Sequence, residues 1–446
     1  MKVPHTPPSE DADVLARLIA AGTLYASFED ALSAPYEHWE QFRFRKPTPP
    51  LTAAQAWTIT KSARIFASRP LPFQAAAPRT FRFHYIDIAA VQRALHEIDS
   101  RARGTVGVDR SGATPGDRDV YLQRSLIEEP FSSSVLEGAA TTREIAKRMI
   151  EEGRRPKTVG ERMVLNNYRA MGFIREHRHE ALTPGRVLEV HRILTEGTFD
   201  KPEKSGVLRD AADDVRVVDE QTNETLHQPP PAEELPARLE RLCDFANETG
   251  DKNKFLHPVL RAIVLHFMLA YDHPFWDGNG RCARALFYWC VLKHEYWLLE
   301  YISISAVIRR APIKYGAAFL HTETDGGDLT YFIIHQLEVI QAAITELDAH
   351  IQRKGKELQR IEQALAGLKP GYNRRQLQLI HDLIKHPKTT YEIAAHQKMH
   401  GVSYLTARSD LEGLAKDGIL RKSKAGVKSV FTVGKNFTDI APPLSR

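Results

Sequence analysis

His273-Pro274-Phe275-Trp276-Asp277-Gly278-Asn279-Gly280-Arg281-Cys282-Ala283-Arg284 is the stretch on which the fold turns. The pairs Asp277-Gly278 and Asn279-Gly280 predict tight turns, because Gly and Asn tolerate positive φ. The apolar run at 258–271 predicts a helix leading in. Residues 281–292 predict a second helix leading out, with Ala283, Leu286, Phe287 and Cys290 at core spacing. A Gly-rich turn that opens a helix leaves backbone N–H groups unpaired and aimed outward, and the helix dipole adds to their pull on an anion. Arg281 and Arg284 lie three residues apart on one face of the first turn. Arginines there oppose the dipole, and an anion gripped by both resolves the conflict. His273 has the titration range of a general base. Asp277 is a carboxylate suited to Mg²⁺, which takes one or two protein carboxylates together with phosphate oxygens and water. Positioning, charge neutralisation and a base are what phosphoryl or nucleotidyl transfer needs.

The segment 278–283 also fits the dinucleotide fingerprint G-x-G-x-x-A. That fingerprint needs a strand before it, within a βαβ unit, and here a helix precedes it. The dinucleotide reading is therefore rejected.

The twelve residues match HPFx[D/E]GNGRxxR at every defined position, and on them the chain resembles the Fic (Fic/Doc) family. The resemblance implies a mainly α fold with a Fic-type helical catalytic domain and a β-hairpin flap. It implies an enzyme, a protein adenylyltransferase that moves AMP from ATP, with Mg²⁺, to a Ser, Thr or Tyr hydroxyl of a protein. Carried over residue by residue, it makes His273 the base and Asp277 the Mg²⁺ ligand. Gly278, Asn279 and Gly280 fall in the phosphate-cradling loop, Arg281 on the α and β phosphates, and Arg284 on the γ phosphate. Phe275 becomes a core anchor for the loop. Doc-like kinases alter the Gly-Asn-Gly-Arg part, and its retention here favours AMP transfer.

Beyond the motif, His257-Pro258 and His266 resemble the family's lead-in helix, and both histidines read as structural. Gly206-Val207-Leu208-Arg209 and Val215-Arg216-Val217-Val218 alternate before Pro229-Pro230-Pro231 and predict a hairpin that resembles the family's flap. A flap binds the target's backbone as an added strand. Gly327-Asp328-Leu329-Thr330 predicts a helix start. Lys314-Tyr315 stands where many relatives carry a Tyr-Tyr pair near the adenine, which leaves base preference open and keeps UTP or a choline-linked nucleotide as alternative donors.

Ser133-Ser134-Val135-Leu136-Glu137-Gly138 fits [S/T]xxxE[G/N], the inhibitory motif of Fic proteins. Ser133 and Glu137 share one helix face. The resemblance implies an inhibitory helix whose Glu137 pairs with Arg284 and denies it to ATP. In related enzymes the same Glu assists AMP removal, so the reverse reaction is an alternative.

At 446 residues the chain has room for two or three domains. The expected division is an N-terminal helical extension (1–118), a catalytic domain with the inhibitory helix (119–336), a connecting helix (337–370) and a C-terminal module (371–446). Residues 14–100 read as helical, with Trp39 and Trp57 in amphipathic segments and Pro47-Thr48-Pro49-Pro50 between two of them. The Gly-, Arg- and Asp-rich segment 101–118 reads as a loop. The polar, Pro-rich start at 1–13 lacks a signal-peptide pattern, and no apolar run reaches membrane-spanning length. Three cysteines, Cys243, Cys282 and Cys290, show no metal spacing, and a reducing cytoplasm is the expected compartment. Cys282 reads as a small filler. The long helix at 337–368 carries Leu337, Ile340, Ile344, Leu347 and Ile351 every three or four residues, the stripe of a connector or a homodimer helix.

After Pro370-Gly371 a distinct pattern begins. Leu377, Ile380 and Ile384 predict a short helix, and Thr389-Thr390 starts a second. Gly401-Val402-Ser403 predicts a turn, and 404–416 a third helix. Residues 418–420 and 427–433 predict strands around a basic Lys424-Ala425-Gly426 tip. This order, with the run 403–411, resembles a small winged helix-turn-helix (α+β) domain. The module holds 13 Lys/Arg against 6 Asp/Glu, a net +7 within a chain of net +5, so the remainder is about −2. Arg408 on the recognition helix and Arg421, Lys422, Lys424 and Lys428 on the wing are the candidate DNA contacts. A rival to the enzyme is thus a DNA-binding regulator whose Fic domain senses nucleotide.

Overall fold

The computed structural model describes residues 2–47, 51–102, 126–219, 221–248, 255–366, 371–385, 389–425, 428–435 and 437. Two expectations lie largely outside them: the loop at 101–118 and the Pro-rich break at 47–50. The chain divides into two compact units, Met1–Val106 with Asp119–Leu347, and Gly107–Arg118 with Asp348–Arg446.

In the first unit, α1 (Ala12–Ala20), α2 (Leu24–Ser33), α3 (Trp39–Phe42) and α4 (Ala53–Phe66) precede a hairpin. A capping box between Thr52 and Gln55 starts α4, whose Trp57 is buried. The hairpin corrects the all-helical expectation for 14–100. Its strands are β1 (Ser68–Gln74) and β2 (Arg82–Ile86), antiparallel, followed by α5 (Ala89–Ala102). Leu71 and Phe73, and Phe83 and Tyr85, are buried at a spacing of two, the period of a half-buried strand. The hairpin adds to the backbone of the later region: His84 N donates to Gly327 O and Leu329 N to His84 O. Arg64 strengthens the same join. Buried, it donates to Glu37 O and Tyr331 Oη, and Tyr36 Oη donates to Asp328. The N-terminal region and the motif-bearing region are therefore one packed body.

Next come α6 (Glu128–Leu136), α7 (Arg143–Glu151), α8 (Val159–Glu176) and α9 (Pro184–Thr195). The expected flap hairpin is present but shifted. Its strands are β3 (Val217–Val218) and β4 (Thr225–His227), with Val217 opposite His227. Gly206-Val207-Leu208-Arg209 is not a strand, because Arg209 N donates to Pro274 O instead of to a hairpin partner. Then follow α10 (Leu235–Asn247), α11 (Pro258–Asp272), α12 (Asn279–Lys293), α13 (Ile304–Arg310), α14 (Pro312–Thr324) and α15 (Thr330–Ala366). From Val259 to Asp272 except Ala270, and from Cys282 to Leu292, every residue of α11 and α12 is buried. Helices this apolar on all sides belong at the centre of a core. The stripe Leu337, Ile340, Ile344 and Leu347 on α15 is buried in this unit, so these residues are not a free dimer face.

The second unit holds α16 (Arg374–Lys385), β5 (Tyr391–Glu392), α17 (Ile393–His400), α18 (Tyr404–Lys416), β6 (Leu420–Ala425) and β7 (Lys428–Val433). The sheet order is β5-β7-β6. The short β5 stands where the sequence predicts the start of the second helix, which begins instead at Ile393. Leu379, Ile380, Leu383, Leu411, Leu414 and Phe431 pack its core. Buried Asp410 accepts from Arg375 Nε and Asn373 Nδ2, each at 2.7 Å.

Candidate active site

His273 ends α11 in the left-handed region, at φ 46° and ψ 56°. A non-Gly residue there is strained, and its neighbours must hold it. Arg209 does so, donating from Nε to His273 O at 2.8 Å and from Nη2 to Pro230 O at 2.5 Å. The imidazole Nδ1 lies 3.0 Å from Ala270 O. A carbonyl accepts only, so Nδ1 carries the proton and Nε2 keeps its lone pair. Burial pushes the His273 pKa down to about 4, while Glu137 nearby opposes the shift. The imidazole is therefore neutral at pH 7, as a base requires.

The turn after it is built by side chains that fold back on it. Asn279 Oδ1 accepts from Phe275 N at 2.9 Å, and Asn279 Nδ2 donates to Phe275 O at 2.8 Å. Its side chain thus braces the loop. Gly278 caps α12 at φ 83°, where a Cβ would lie 3.0 Å from Thr195 Cγ2. Fully buried Phe275 stacks on His191, with ring centroids 3.7 Å apart. His191 is a site residue that sequence reading missed. Its Nδ1 accepts from Gly206 N at 3.0 Å, and its Nε2 donates to Asp277 O at 2.8 Å. Burial pushes its pKa down to about 4, which preserves that neutral tautomer. A lone His on an apolar helix face gave no sign of this. Arg209 was in view in the sequence, but only as part of a hairpin.

Arg281 is 1% exposed, donates from Nη1 to Leu194 O at 3.1 Å, and leaves Nε with no hydrogen-bond partner. An orphaned guanidinium donor beneath a Gly-opened helix suits an added anion. Asp277 is 59% exposed by side chain. Its Oδ1 accepts from Gly278 N, and its Oδ2 lies 3.8 Å from Arg281 Nη2. Among the described residues no group of three or more His, Cys, Asp or Glu could hold a metal. A single open carboxylate still fits Mg²⁺ that arrives with phosphate oxygens and water.

Arg284, 2% exposed, is held by α6 and the Glu137 that caps it. It donates from Nε to Ser133 Oγ at 2.9 Å, and from Nη2 to Ser133 O at 3.1 Å and to Glu137 Oε1 at 2.8 Å. Burial alone would raise the Glu137 carboxyl, but Arg284, with Arg281 and His273 behind it, holds it below the usual carboxylate range. The carboxylate sits directly over Gly280, where any Cβ would collide with Oε1. Ser133, Glu137, His273, Asp277, the Gly278-Asn279-Gly280 turn, Arg281 and Arg284 therefore meet in one place. Tyr315 joins them beside Arg284, and its hydroxyl lies 2.8 Å from His266 Nε2. Lys314 turns elsewhere, onto the exposed rim of a cavity of about 300 Å³ lined also by His38, His321, His335 and Tyr331. Buried Cys282 and its two fellow cysteines are free thiols.

The basic candidates of the second unit lie apart from this site in sequence. Arg408 and Lys422 both pair with Glu412, at 3.1 and 2.5 Å. Arg421 and Lys424 are exposed, and the side chain of Lys428 lies outside the described residues.

The chain is similar to known proteins over this region. Residues 181–291 match the Fic/DOC family model. That span runs from the lead-in to α9 through most of α12. The protein adenylyltransferase Fic of Nematostella vectensis is 24% identical over 232 residues, 50% of this chain and 50% of that protein. The protein adenylyltransferase Fic of Drosophila willistoni is 36% identical over 70 residues, 16% of this chain and 14% of that protein. The chain thus spans half or less of the curated relatives it matches. A Fic family protein from Desulfovibrio desulfuricans G20 shares the fold, with a TM-score of 0.52 at 20% identity, over 79% of this chain and 98% of that one. The chain carries a Fic/DOC domain. Its curated homologues are named as adenylyltransferases, and among the described residues no helix is long and apolar enough to cross a membrane.

Proposed function

We propose that the chain is a protein adenylyltransferase held in check by its own Glu137. The observation that carries this reading is the position of the Glu137 carboxylate, on Arg284 and over Gly280 at the mouth of α12. An internal anion stands where a Gly-opened helix and two buried arginines attract a phosphate.

In the working state Glu137 leaves Arg284, and Arg284 takes the γ-phosphate of ATP. Arg281 Nε and the loop amides receive the α and β phosphates. Asp277 would hold Mg²⁺, which neutralises phosphate charge as pyrophosphate departs. His273 Nε2 takes the proton of a Ser, Thr or Tyr hydroxyl. The hydroxyl oxygen attacks the α-phosphorus, the bond to the bridging oxygen breaks, and pyrophosphate leaves. The hairpin β3–β4 is suited to hold the target's backbone as an extra strand.

The test uses ATP labelled on the α-phosphate or on the γ-phosphate, with the Glu137→Gly protein and a cell lysate. Label should enter protein from the α position only, and His273→Ala should abolish it. Label from the γ position would identify a kinase and refute AMP transfer. Running UTP in parallel tests the donor alternative that Lys314 keeps open.

For residues 371–446 the reading is a winged helix-turn-helix that contacts DNA. Three helices, a β5-β7-β6 sheet and the net +7 balance favour it.

A further inference from the structure

One buried carboxylate of α6 takes no part in the chemistry above. Glu129 is 3% exposed and accepts three hydrogen bonds. Ser303 Oγ donates to Oε2 at 2.8 Å, Ser305 N to Oε2 at 3.0 Å, and Ser305 Oγ to Oε1 at 2.6 Å. No cation forms an ion pair with it among the described residues. Its direct partners are all neutral donors and only the Arg284 charge opposes its burial from a distance, so the buried carboxylate is costly and its geometry unforgiving.

Its placement explains why such a group is there. Glu129 lies in the first turn of α6, Ser133 is four residues on, and Glu137 caps the far end. Ser303 and Ser305 flank the start of α13, and Arg309 of the same helix stands over the Phe131 ring at 5.5 Å. Tyr288, four residues after Arg284 on α12, seats that segment by donating to Ile302 O and accepting from Ile304 N, each at 3.1 Å. A closed circuit results. Arg284 grips the C-terminal end of α6, Tyr288 fixes the 302–305 segment, and that segment grips the N-terminal end of α6 through Glu129.

We propose that Glu129 is the positioning residue of the brake: it locks α6 in the register that sets Glu137 on Arg284. The inference rests on the reading of Glu137 as a brake and adds the element that determines when the brake is seated. Whatever draws the 303–305 segment off Glu129 releases Arg284 at the other end of the helix. Glu129→Gln keeps the size and loses the charge that draws three donors.

ATP affinity, read by titration calorimetry on the full chain, and AMP transfer decide the matter. Glu129→Gln should bind ATP at least about tenfold more tightly, the fold-change matching one lost charge-assisted hydrogen bond. Ser305→Ala should shift affinity the same way by less, and serves if Glu129→Gln fails to fold. The double variant Glu129→Gln/Glu137→Gly should be no tighter and no faster than Glu137→Gly alone, since both act through one contact. A merely structural role would instead make the double variant worse. Wild-type ATP affinity in folded Glu129→Gln, with affinity raised in Glu137→Gly, overturns this inference and leaves the brake standing. Unchanged affinity in Glu137→Gly overturns the brake and this inference with it.

Discussion

Arg209 Nε donates to the carbonyl oxygen of His273 at 2.8 Å, across 64 residues of sequence. Left-handed backbone at a residue with a side chain costs of order 1–2 kcal/mol, and this bond helps to offset it. Arg209→Ala should therefore misplace the imidazole. The expected result is a kcat reduced roughly tenfold or more, with nucleotide affinity little changed. Steady-state kinetics beside a thermal melt check it; equal loss of kcat and ATP affinity would contradict it.

His191 holds the loop by its two ring nitrogens and its face. His191→Phe keeps the stacking on Phe275 but loses the bonds to Gly206 N and Asp277 O. Two part-buried backbone groups would lose their partners, at a cost of up to about 1 kcal/mol each. ATP binding should weaken about tenfold or more, and the melting temperature should fall. Calorimetry on the variant decides, and unchanged affinity would show that the loop stands without His191.

Burial pushes His191 and His273 from the usual 6.5 down to about 4. The unfolded chain therefore binds more protons than the folded one between those values, so stability falls as pH drops through that window. His191 alone accounts for about 3 kcal/mol by pH 4. Activity follows the same sign: His273 is neutral from pH 8 to pH 6, and the rate should be flat there. Denaturant titrations at several pH values and a pH–rate profile check both; an inflection near 6.5 assigned to His273 would contradict the buried, neutral base.

On the second unit, Glu412 neutralises Arg408 and Lys422. Glu412→Ala should strengthen binding to duplex DNA, while Arg421→Ala and Lys424→Ala should weaken it and reduce the salt slope by about one each. Fluorescence anisotropy across a salt series measures this. Binding that ignores salt, or none, would refute DNA contact.

The motif loop was legible because its chemistry is crowded into twelve consecutive residues with strong turn signals. The Glu137–Arg284 pair was legible because spacing on α6 and a family resemblance pointed to the same carboxylate. His191, Arg209 and Glu129 were not, because each acts through backbone atoms or serines 15 to 176 residues away. No periodicity records such a bond. The β1–β2 hairpin was hidden by its shortness and by Pro70 and Pro72, although its buried residues alternate. The stripe on α15 was visible, yet a stripe does not say whether it faces the chain's own core or another copy.

The rate of AMP incorporation from α-labelled ATP in Glu137→Gly against the unmodified chain, with His273→Ala in the same background, probes the seated carboxylate itself. Removing it should raise the rate by about two orders of magnitude, the scale of a buried Arg–carboxylate contact withdrawn from competition with phosphate, and losing the imidazole should return the rate to background. Equal rates for Glu137→Gly and the unmodified chain would contradict autoinhibition, and label that persists without His273 would contradict the proposed base.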